Sequence, residues 1–147
     1  MWQRIQTLYL LIATGLLAAM CFCDAAVIYE GGQAADSISY WDKTVYWVLL
    51  LATLLGHLIA VNTYKLLVLQ LRVTTVTLLA TLGFGIVLAI DYLRAPEGLV
   101  FGITAVFPLV CAVLDGLALR GIFRDQIILE SAYRLRDHHR RSGREKR

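Results

Sequence analysis

Charge is scarce in this sequence. Of its 147 residues only 17% are Asp, Glu, Lys or Arg, against about a quarter in a soluble domain. Proline occurs twice and cysteine three times. The odd set of cysteines (Cys21, Cys23 and Cys111), each within or at the end of an apolar block, implies no disulfide framework. Cys21-Phe-Cys23 has the wrong spacing for a thioredoxin-like redox motif, and no second pair completes a zinc site. A phosphate-cradling loop, a nucleophile–base constellation and any His-x-x-x-His or Glu-x-x-His pair within the apolar blocks are also missing. These absences weigh against an enzyme and imply no cofactor or metal.

What is present is hydrophobic: 59% of the chain, with a mean hydropathy of +0.66. The excess is gathered into four blocks, which makes a lipid bilayer the expected solvent. The sequence therefore predicts an all-α integral membrane protein. It is a bundle of four transmembrane helices followed by a C-terminal amphipathic cytoplasmic helix. The spans are expected at about 5–23, 44–64, 73–91 and 99–119, with a basic helix and tail at 120–147.

The uncharged run from Ile5 to Cys23 has 19 residues, longer than a signal-peptide core of about 7–15, and reads as a retained first span. Asp24 to Lys43 is a polar connection with four acids, fit for a short amphipathic helix or a hairpin. Tyr40, Trp41, Tyr46 and Trp47 crowd the entrance to the second span as an interfacial aromatic belt would. Val73 to Ile90 supplies 18 uncharged residues for the third span. The turn Asp91–Gly98 follows, and Pro108 is expected to kink the fourth span. Small residues, including Gly15, Gly83, Gly85 and the pair Ala112-x-x-x-Gly116, suit close helix approach.

Basic residues set the orientation. With a cytoplasmic N-terminus, twelve of the fourteen Lys and Arg fall inside, leaving Lys43 and Arg94 outside. The positive-inside rule thus places both termini in the cytoplasm of a bacterial inner-membrane protein. The tail interleaves Ile122, Phe123, Ile127, Tyr133 and Leu135 with Arg124, Arg134 and Arg136, next to Arg120. These residues are the candidates for contact with a partner protein or with anionic lipid. Nucleic acid ranks third, because no specific motif accompanies the arginines. Residues 137–147 are wholly polar and read as unstructured.

Three stretches resemble a known family. They are Met1-x-Gln-Arg-Ile-Gln-Thr-x-Tyr-Leu-Leu at the start, Tyr64-Lys65 with Leu69-Gln-Leu-Arg72 in the second linker, and Arg120-x-Ile-x-Arg-Asp125 with Ser131-Ala-x-Arg-Leu-Arg136 in the tail. Together they resemble the domain of unknown function 4293 family, typical of Bacteroidota. The resemblance implies a small four-span inner-membrane protein without an assigned activity, and it carries over no catalytic residue. Gln126 stands where that family has the second acid of a pair, and Tyr133 where a polar residue is usual.

Two ionisable residues lie inside apolar runs. Asp115 is one turn from Arg120, which suggests an interfacial salt bridge. His57 sits past the middle of the second span and reads as a packing histidine. The function expected is a non-enzymatic accessory or scaffold subunit that binds membrane lipid and a membrane-protein partner or a second copy. The alternative is a small oligomeric transporter or membrane enzyme built on His57 and Asp115, should the two prove adjacent.

Overall fold

The computed structural model describes residues 2–30, 33–64, 66–96 and 98–145; the side-chain surroundings of 2–4, 30, 135 and 137–145 lie outside that description. The chain is mostly helical. In order come α1 (Trp2–Met20), β1 (Asp24–Glu30), β2 (Gln33–Ser39), α2 (Thr44–Asn62), α3 (Leu67–Leu93), β3 (Leu99–Phe101), a 3₁₀ turn (Ile103–Val106) and α4 (Phe107–Glu145). The helices α2 and α3 and the stretch Ile103–Arg134 are long and apolar enough to cross a membrane, and Ile5–Met20 is a shorter apolar helix.

The helices close into a ring. α1 packs on α2 and α4, and α3 packs on the same two, so α2 and α4 face each other across the middle. Neighbours run antiparallel: Lys43 before α2 meets Asp91 near the end of α3, and Gln6 in the first turns of α1 meets Asp125 far along α4.

The polarity of the ring is inverted relative to a water-soluble core. Leu8, Leu11, Leu55, Ile59, Val76, Leu79 and Ile86 point outward, while Thr53, His57, Gln70, Thr74, Thr77, Thr81 and Asp115 are buried. Thr53, Thr77 and Thr81 cost little here, since each returns a hydrogen bond to a carbonyl of its own helix.

An all-α fold is not what forms. β1 pairs antiparallel with β2 and with β3, giving a three-stranded sheet in the order β2-β1-β3. Of the helix or hairpin expected for 24–43, the hairpin forms. β3 comes from the start of the apolar run expected to be the fourth span. Leu99-Val-Phe101 suits a strand as well as a helix, and a continuous apolar run has no periodicity to separate the two. Gly98 just before it adopts φ +96°. A Cβ there would sit 2.8 Å from the Tyr29 carbonyl oxygen, so glycine suits both the backbone angle and the approach to β1.

Three further expectations change. Pro108 does not kink a span; it is the second residue of α4, where its missing N–H is not needed. Residues 21–23 leave the helix, and Phe22 is turned fully outward. The polar stretch read as unstructured continues α4 to Glu145, its Arg and Glu residues being good helix formers; residues 146–147 lie outside the described part.

Tyr40 and Tyr46 are not a surface belt. Both are buried against Phe84, with ring centroids 6.1–6.4 Å apart, among Leu17, Met20, Leu50 and Leu88. Trp41 and Trp47 do stay exposed. Tyr40 keeps a polar partner in that core. Thr104 Oγ1 donates its proton to the Asp24 carbonyl at 3.1 Å, so the Tyr40 hydroxyl, 3.0 Å away, donates to Thr104. Burial pushes the Tyr40 phenol above its ordinary pKa and keeps it a donor.

Candidate functional site

His57 on α2 and Asp115 on α4 meet in the middle of the ring. His57 Nε2 lies 2.9 Å from Asp115 Oδ1, and both side chains are completely buried. The interfacial expectation for Asp115 is therefore replaced: its partner is His57, while Arg120, five residues on, is exposed. On the other side of the imidazole, Nδ1 lies 2.8 Å from the Thr53 carbonyl oxygen.

These contacts fix the proton count. A carbonyl oxygen only accepts, so Nδ1 carries a proton. A neutral imidazole then offers its Nε2 lone pair, and Asp115 must be the acid that donates to it. An imidazolium instead donates to a carboxylate. Either way one proton lies between Nε2 and Oδ1. Asp115 Oδ2 has no hydrogen-bond partner among the described residues, and neither does buried Thr74 Oγ1.

Glycine positions the pair. A Cβ on Gly56 would lie 2.5 Å from Thr77 Oγ1, so α2 and α3 come together beside His57 only because residue 56 has no side chain. Sequence reasoning missed Gly56, since a glycine within an apolar run carries no sign of what it faces. The small residues it singled out behave otherwise. Nothing approaches within 4 Å of where a Cβ would stand on Gly15, Gly83 or Gly116, and Gly85 makes only an ordinary contact with Pro108 at 3.9 Å.

Below this layer, toward the basic end, Leu10, Ala60 and Ala118 form a small apolar plug. Beyond the plug, Gln6 Nε2 donates to Asp125 Oδ2 at 2.9 Å, and a Cβ on Gly121 would touch Gln6 Cγ at 2.7 Å. α1 and α4 are thereby held together next to Arg120 and Arg124. At the opposite end Asp91 Oδ2 accepts from Lys43 Nζ at 3.1 Å and from the Tyr46 hydroxyl at 2.5 Å. No motif announced either contact.

The tail candidates divide. Phe123, Ile127, Tyr133, Arg124, Arg134 and Arg136 are exposed along α4, and Arg134 bonds Glu130 one turn back at 2.8 Å. Ile122 instead turns inward and is fully buried. The side chain of Leu135 lies outside the described part.

No curated protein and no solved structure matches the chain. The family described as Domain of unknown function (DUF4293) matches residues 2–135, from the first turn of α1 into α4. That match takes in α1 to α3, most of α4, the sheet, the His57–Asp115 pair and nearly all of the motifs at both ends; the chain is a member of this family.

Proposed function

We propose that this is a four-span protein of the bacterial inner membrane, both termini cytoplasmic, acting as a non-enzymatic accessory subunit through the projecting part of α4. The observation that carries the reading is the length of that helix. Its 39 residues extend about 58 Å at 1.5 Å each, twice what α2 offers with 19. About half of α4 thus stands beyond the ring, and its exposed residues include Ile127, Ile128, Leu129 and Tyr133.

A rod of this kind suits a protein partner better than a lipid surface. Positions 140, 141 and 144 lie roughly 20–26 Å along the helix from Ile127, well past the screening length of about 8 Å over which membrane charge is felt. Exposed apolar residues interleaved with arginines instead fit a helix-binding groove on a cytoplasmic region of another protein. The inverted polarity of the ring supports the membrane setting.

The test is mild-detergent purification from native membranes after cross-linking, comparing the full chain with one ending at Gln126. A stoichiometric partner held by the full chain and lost on truncation is expected. A full chain that purifies alone would end the accessory reading.

A second reading is favoured by one observation, the completely buried His57–Asp115 contact across the middle of the ring. A buried carboxylate sharing a proton with imidazole suits a proton-coupled transporter. In proteoliposomes with a pH gradient, Asp115→Asn should then abolish proton uptake; equal uptake by the variant and the original chain would discard this reading.

A further inference from the structure

A groove of about 680 Å³ runs between the start of α1 and the middle of α4. Its size falls in the range of small-molecule sites, about 300–1,000 Å³. Ile5, Tyr9, Leu117 and Ile128 make it apolar along its length, and Arg120 and Arg124 stand at it. Those two arginines are one helical turn apart, hence on one face, and neither makes an ion pair among the described residues. The floor is built rather than accidental, with Gly121 admitting Gln6 and Gln6 holding the Asp125 carboxylate.

We infer that this groove binds one anionic phospholipid, its phosphate between Arg120 and Arg124 and an acyl chain along Ile5, Tyr9 and Leu117. The charge decides the class of ligand. Two arginines and one aspartate leave a single net positive charge, which matches a phospholipid of one net negative charge and not a zwitterionic one, whose cationic headgroup offsets its phosphate. Guanidinium pairs bind phosphate oxygens in a fork that a zwitterionic surface does not reward as strongly. The apolar length of the groove requires a chain attached to that phosphate, which separates lipid from a soluble phosphate. The site lies at the basic end of the ring, so the inference rests on the membrane reading above and places the lipid in the cytoplasmic leaflet.

The experiment uses the full chain in nanodiscs of phosphatidylcholine and phosphatidylglycerol, released and weighed by native mass spectrometry. One phosphatidylglycerol should be retained in preference, and the preference should fall about fivefold for each arginine lost in Arg120→Gln and Arg124→Gln. The pair Arg134→Gln and Arg136→Gln removes the same charge outside the groove and should change nothing. Equal retention of the two lipids, an equal loss in the control pair, or displacement by inorganic phosphate alone would each overturn the proposal. A chain that enters nanodiscs but shows no preference defeats the lipid site only. Failure to enter nanodiscs, with extraction from native membranes by alkali, defeats the membrane reading as well.

Discussion

His57 and Asp115 bond to each other from the two helices that stand opposite in the ring, α2 and α4, rather than from neighbours. The bond is a tie across the interior. Neighbouring helices pack on each other closely, whereas α2 and α4 approach each other little, and this polar contact joins them directly.

Removing either side chain of the pair strands the other. His57→Leu and Asp115→Leu should each lower stability by about 1–3 kcal/mol, and the double variant should lose less than the sum of the two. Unfolding in mixed micelles, followed by circular dichroism, measures all three. Additive losses would mean that the two residues act separately.

Gly56 should be intolerant of a side chain. Gly56→Ala places its Cβ against Thr77 Oγ1 and is expected to cost about 1–3 kcal/mol. In a Thr77→Ala background the same change should cost less than half as much. The comparison of melting temperatures in detergent separates this clash from any general effect of glycine on helix propensity.

Asp91 serves a buried hydroxyl and an exposed amine, and the two are unequal. Lys43 is 47% exposed at its side chain, so Lys43→Gln should cost less than about 1 kcal/mol. Asp91→Ala also strips the acceptor from buried Tyr46 and should cost more, about 1–3 kcal/mol. Equal costs would show that the ion pair carries the whole interaction.

Orientation is open to labelling. In a chain whose three cysteines are replaced by alanine, Ser37→Cys in β2 should react with an impermeant maleimide in intact cells. Ser131→Cys in α4 should react only after the inner membrane is opened. Reversed reactivity would invert the arrangement inferred from the basic residues.

The existence of four apolar helices was legible in the sequence as long uncharged runs, but their bounds were not. α3 starts at Leu67, inside the stretch read as a linker before residue 73, and α4 starts at Phe107 rather than at 99. The sheet was less legible: Leu99–Phe101 carries no pattern that separates a strand from the first turn of a span, and its pairing with β1 depends on a segment some seventy residues away. His57 and Asp115 were each visible as ionisable residues in apolar surroundings. Their contact was not, since it depends on which helices face each other, and a linear sequence does not state the order of a ring. Tyr40 and Tyr46 misled for a related reason. Aromatic residues at the edge of an apolar block look alike whether they lie on a surface or fill the space beneath a sheet.

The pairing of β1 with β3 also sets an order of events during synthesis. Ala26 waits for Phe101, and Ile28 for Leu99. At about 5–20 residues per second, the intervening chain takes roughly 4–14 s to emerge. For that interval the hairpin of β1 and β2 presents an unpaired edge, the kind of template on which other nascent strands can add. The first two helices and their hairpin thus form a half-built molecule, and the second half completes it by occupying that edge.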